Sequence, residues 1–93
     1  MLAITKLTQE LEFLDILERV LKQERDLLDS LGPDEDLIEY NLNSIIVVEL
    51  VVELEVVFGI EIDDDDLLTE NVSTLRRIKE LVDKYQQIKL NGG

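Results

Sequence analysis

The residues that invite a chemical reading are three serines, Ser30, Ser44 and Ser73, and a run of four aspartates, Asp63 to Asp66. The 93-residue chain has no Cys and no His. Disulfides, thiolate nucleophiles and thiolate metal sites are therefore excluded, and the usual general base is missing. A calcium loop needs alternating oxygen ligands, a Gly at its sixth position and a bidentate Glu at its twelfth. Counted from Asp63, those positions are Leu68 and Thr74. The pattern fails, and carboxylates solvated at a helix N-terminus are expected instead. A serine nucleophile needs a partner base, and no convincing pair is present. The expectation is a chain with no catalytic residue and no metal site, hence not an enzyme. Ser73 reads as a helix cap, which leaves Ser30 in Asp29-Ser30-Leu31 and Ser44 in Asn43-Ser44-Ile45.

Four segments must position these residues. Leu7, Leu11, Leu14, Leu17 and Leu21 recur at helical spacing, and Phe13, Ile16 and Val20 widen that stripe. A first amphipathic helix is expected from Leu7 to about Lys22. Gly32-Pro33 forbids continuation, and no sustained helix is expected between Asp26 and Asn43. Ser44 to Phe58 is apolar at every even position from Ile46, as a strand would be, and rich in Val and Ile. Fifteen residues is long for a strand, however, and Ser44 and Gly59 suit the two ends of a helix. Helix is the reading adopted. Ile60 and Ile62 lead through the aspartates into one short helical turn, and a last helix begins near Ser73. The core is expected to hold Leu11, Leu14, Leu17, Val48, Val51, Leu54, Phe58, Ile62, Leu75, Ile78 and Val82. The fold class is all-α: a small four-helix bundle, three main helices and one short one, with a long first loop.

Composition restricts what such a bundle can do. Nine basic residues face 22 acidic ones, for a formal net charge of −13. Between Arg25 and Arg76 there are fifteen acids and no base. A nucleic-acid partner would require a basic face that this chain lacks. Ile45 to Phe58 is too short and too charged to span a bilayer, and no signal peptide is visible. The expectation is a soluble, cytoplasmic monomer with neither nucleic-acid nor membrane partners. The acidic stretch also admits a second reading, an acidic protein-interaction module without a prosthetic group.

Leu42-Asn43-Ser44-Ile45, Glu49-Leu50-Val51, Leu54, Phe58-Gly59-Ile60 and Ile62 together resemble the acyl and peptidyl carrier protein family. Its signature is Asp-Ser-Leu at the start of a long helix. The literal match at Asp29-Ser30-Leu31 is a decoy, because Gly32-Pro33 follows it. The resemblance covers about Leu7 to Tyr85, and its specific part is the segment after Ser44. It implies a covalent 4′-phosphopantetheine on Ser44, installed from coenzyme A by a phosphopantetheinyl transferase that brings its own base and Mg²⁺. The arm's thiol would hold an acyl or aminoacyl group as a thioester. Independently of the family, a helix N-terminus offers unpaired N–H groups and a positive dipole end to a phosphate.

Departures from the family pattern narrow the expectation. Asn43 stands where Asp is usual, and Asn41 where Gly is frequent. Ile46, Val56 and Val57 stand where fatty-acid carriers often place acids. Asn43 and Ile45 flank the attachment serine, and Ile46, Val47, Glu49, Glu53 and Ile62 are expected to meet partners, with Ile46 and Val47 as an apolar patch. The reading is a stand-alone carrier in a natural-product pathway of the non-ribosomal peptide or polyketide kind. Its partners would be the transferase, an adenylating or acyl-loading enzyme and downstream synthase or tailoring enzymes. Fatty-acid-synthesis and D-alanyl carriers are the alternatives. The expected organisation is an extension at 1–6, a carrier domain at 7–86 and a flexible tail at 87–93.

Overall fold

The computed structural model describes residues 2–92, with side chains from 9 to 89. Four helices follow one another: α1 (Leu2–Leu21), α2 (Arg25–Ser30), α3 (Ser44–Phe58) and α4 (Leu75–Gly92). Short 3-10 turns at Leu37–Tyr40, Asp64–Asp66 and Thr69–Val72 punctuate the connections. The bundle is all-α, as the residue pattern requires. Its short helix precedes Gly32-Pro33, in a stretch expected to hold no sustained helix. Two 3-10 turns occupy the place after Ile62.

Each long helix turns the same pattern inward. The inward face holds Phe13, Ile16, Leu17 and Val20 on α1, where Leu21 is buried as well, Val47, Leu50, Val51 and Leu54 on α3, and Ile78, Leu81, Val82 and Tyr85 on α4. In every case the positions are i, i+3, i+4 and i+7, one face of a 3.6-residue helix. Burial of each such side chain contributes about 1.5–3 kcal/mol. The leucine stripe expected on α1 is thus rotated toward Phe13 and Ile16. Leu11 is exposed and Leu14 half-buried, because the inner face is centred between Phe13 and Val20. Leu7 of that stripe has its side chain outside the described residues. Val48 is likewise exposed, one position off the inward face of α3. Phe58 and Leu75 are only partly buried against the core, and Phe58 meets Phe13 with ring centroids 4.9 Å apart.

The helix ends have identifiable causes. Lys22 takes a left-handed backbone (φ 56°) directly after α1. Gly59 does the same after α3 (φ 63°), where Glu55 O accepts from Ile60 N at 3.2 Å. The expected cap of the last helix, Ser73, instead donates its hydroxyl to Glu70 O at 3.1 Å. Thr74 is the cap, its Oγ1 accepting from Arg77 N at 3.1 Å. Residues 2–6 belong to α1 rather than to a separate extension, and α4 continues through 87–89 as far as Gly92. Met1 and Gly93 lie outside the described residues.

The long connection from α2 to α3 is fastened rather than loose. Leu37 and Leu42 are buried. Leu37 N donates to Ser73 O at 2.8 Å and Arg76 N to Pro33 O at 2.9 Å. Arg76 also grips the Asp34 carboxylate, Nε at 2.7 Å from Oδ1. These bonds tie both sides of the connection to the start of α4, and so fix where α3 begins.

Candidate functional site

Ser44 is the first residue of α3, and its position follows from its neighbours. Leu42 before it and Val47 after it are both buried, so the chain between them has little freedom to slide. Asn43 has extended backbone (φ −149°, ψ 179°), and its Oδ1 accepts from Ile45 N and Ile46 N, each at 3.0 Å. Its carbonyl accepts from Val47 N at 2.8 Å. Asn41, left-handed at φ 78°, donates its Nδ2 to Leu21 O at 2.8 Å. The end of α1 and the entrance to α3 are thereby joined. The cap position, where the resemblance leads one to expect Asp, is filled by a neutral amide that accepts two backbone bonds.

The three serines now separate. Ser30 donates to Leu27 O at 2.7 Å at the end of a six-residue helix. Ser73 is engaged with Glu70 O. Ser44 is exposed, and among the described residues its hydroxyl makes no hydrogen bond. The first turn of α3 carries no acid. An exposed, unengaged hydroxyl at the positive end of a fifteen-residue helix fits an acceptor of a phosphate ester. Among the described residues no side-chain base is hydrogen-bonded to it. Two of the helix's leading N–H groups are already taken by Asn43, which leaves fewer of them for a phosphate.

The residues expected to face partners divide. Ile45 is 74% exposed, and Glu49 is exposed. Glu53 is partly exposed and bound by Arg19, Nη2 to Oε2 at 2.6 Å. Val47 and Ile62 are buried, and Ile46 packs against the core. The apolar patch expected at Ile46 and Val47 is therefore not where those residues are. The inward face of α3 is set by Val47, Leu50, Val51 and Leu54, which carries Ile46 with it. The solvent face instead shows Ile45, Val48, Val52 and Val56, the last three 55%, 50% and 75% exposed. Their spacing of three, four and four residues places them in one stripe along the helix. The available signal was that α3 is apolar nearly all round, so some of its valines had to face water.

The aspartate run caps and braces. Asp63 Oδ1 accepts from Asp65 N at 3.0 Å, and Asp66 meets Lys84 Nζ at 2.9 Å and the Tyr85 hydroxyl. Hydrogen bonding from Lys84, then from Tyr85, holds the Asp66 carboxyl below the usual carboxylate range. Burial, and then the bond to Asp66, raises the Tyr85 phenol. Among the described residues no group of acids is arranged to hold a metal ion, and no helix is long and apolar enough to cross a membrane.

Comparison with known proteins gives one match. A family model described as the phosphopantetheine attachment site matches residues 4–82. No curated protein and no solved structure matches the chain.

Proposed function

We propose that this chain, which belongs to the phosphopantetheine attachment site family, carries its arm on Ser44 and serves as a discrete carrier in a natural-product pathway. Family membership makes it a carrier bearing a covalent 4′-phosphopantetheine. Members of the family are modified by a phosphopantetheinyl transferase and interact with synthase enzymes. The observation that carries the assignment of the residue is the free, exposed Ser44 hydroxyl at the head of α3. The other two serine hydroxyls are held by carbonyls.

The chain's own part in the chemistry is positional. Asn43 and the buried pair Leu42 and Val47 fix the backbone, so that Ser44 Oγ projects into solvent where a transferase can supply base and Mg²⁺. The bound arm supplies a terminal thiol that holds an acyl or aminoacyl group as a thioester. Tethering raises that group's effective concentration at successive enzymes and prevents its loss by diffusion. The absence of Cys leaves the arm's thiol without a competitor on the same chain.

The apolar stripe Ile45, Val48, Val52 and Val56 supports the natural-product reading. An acid-lined helix would suit a basic partner, whereas this one suits an adenylating or acyl-loading enzyme with an apolar cleft. Glu49 and Glu53 flank the stripe and would set orientation more than affinity.

The test is intact mass after incubation with coenzyme A, Mg²⁺ and a broad-specificity transferase. One phosphopantetheine is expected on the wild type and on Ser30→Ala, and none on Ser44→Ala. Addition to Ser44→Ala, or none to a folded and initially unmodified wild type, would overturn the assignment.

A further inference from the structure

Among the described residues, two that are not glycine have left-handed backbone, Lys22 and Asn41. Both line one open groove of about 430 Å³ that reaches Asn43, the residue before Ser44, and Ile46, two residues after it. Asn tolerates that conformation, but Lys does not favour it. Lys22 is held there by the junction in which Asn41 donates to the carbonyl of Leu21, the preceding residue.

Lys22, like Arg77 and Lys89, has no carboxylate partner among the described residues, and of these three it alone lines the groove beside the start of α3. Arg19, Arg25, Arg76, Lys79 and Lys84 each meet a carboxylate. Lys22 is exposed and, among the described residues, forms no ion pair, in a chain with 22 acids. An anion on Ser44 would find the Ile45 and Ile46 N–H groups already bonded to Asn43. A cation outside α3 would add to what the remaining helix end and solvent offer that anion. The groove is lined by Lys22 and by apolar wall from Val20, Leu42 and Ile46. Glu39 on the same groove opposes a general anion-binding surface.

We infer that this groove seats the arm attached at Ser44 and that the Lys22 ammonium pairs with an anionic group the arm carries. The inference rests on the assignment of Ser44. The anion is the phosphodiester at Ser44 or a carboxylate on the cargo, and the adjacency of the groove to Ser44 favours the phosphodiester.

The test uses the full chain as wild type, Lys22→Gly, Lys22→Arg and Arg77→Gln. Glycine removes the charge while suiting the left-handed backbone, so this variant retains the fold. Arginine keeps the charge, and Arg77→Gln removes an exposed cation elsewhere on α4. Intact mass first establishes one arm on Ser44. If none is added there, the Ser44 assignment fails and this inference falls with it, by a different readout from the one below. The Lys22 ammonium resonance, identified by its loss in Lys22→Gly, is then followed by NMR through the apo, arm-bearing and succinyl-loaded forms. A shift on arm attachment assigns the pairing to the phosphodiester, and a shift only on succinylation assigns it to a cargo carboxylate. In the first case the phosphorus line of the arm narrows in Lys22→Gly, while Lys22→Arg and Arg77→Gln match the wild type. A Lys22 resonance unmoved through all three forms overturns the inference.

Discussion

Asn43 and Gly59 show how single residues delimit the functional helix. The Asn43 side chain satisfies two N–H groups at one end of α3, and Gly59 accepts φ 63° at the other. Asn43→Ala should lower stability by about 0.5–2 kcal/mol, read from denaturant unfolding. Asn43→Asp should keep the cap, since a carboxylate accepts the same two bonds. Gly59→Ala places a Cβ 3.1 Å from the Lys89 ammonium, the end of a flexible side chain that donates to Gly59 O at 2.6 Å and can give by a few tenths of an ångström. Its penalty is therefore conformational, about 1–2 kcal/mol for an L residue forced left-handed. A Gly59→Ala variant as stable as the wild type would contradict the left-handed C-cap. The proposal of Ser44 came from its surroundings: Ser30 is followed by Gly32-Pro33 and Ser73 reads as a cap, whereas Ser44 opens the segment that resembles the family pattern. Lys22 was not legible in the sequence, because its interest arises from backbone hand and from a groove built by residues twenty positions apart.

At the scale of the element, α3 has two apolar faces with different duties. The inner one is core, and Leu54→Ala should cost about 2–5 kcal/mol through lost burial and a cavity. The outer one, Ile45, Val48, Val52 and Val56, lies outside the core cluster and is at least half exposed. Val48→Asp and Val52→Asp should leave stability within about 0.5 kcal/mol but lower the loading enzyme's kcat/KM. Unchanged loading kinetics would remove the stripe as a docking surface. Val47→Asp cannot serve in that experiment, since it buries a charge and disrupts the core. Existence and type of the helices were readable from period and punctuation. Their rotation about their own axes was not, because α1 and α3 each carry more apolar residues than one face can bury. Leu11, Ile46, Val47 and Val48 could be placed only once the helices met.

For the whole molecule, the net charge of −13 opposes compaction. Added salt should raise the thermal midpoint by screening that repulsion, even though it also weakens the exposed ion pairs. A midpoint that falls with salt would mean that the pairs outweigh the repulsion. Acid should act through the paired carboxylates. Arg76 holds Asp34, and Lys84 with Tyr85 holds Asp66, below the ordinary carboxylate value of 3.8. Their stabilisation is therefore present above that value and is lost as pH falls through the lowered ones. Asp34→Asn and Asp66→Asn should each flatten the acid limb of the stability–pH profile. An unchanged limb would show that these pairs do not persist in solution.

The sequence by itself determined the helical class, the helix punctuation at Ser44 and Gly59, the exclusion of thiol and imidazole chemistry, and the family. These follow from residue type and local spacing, which are properties of neighbouring positions. Only the tertiary structure decided which valines of α3 face water, that Thr74 rather than Ser73 caps α4, and that Lys22 and Asn41 share a groove with the start of α3. Those outcomes depend on how separate segments compete for a common core and on backbone bonds between residues far apart in the chain. A one-dimensional pattern with a surplus of apolar residues leaves that competition open.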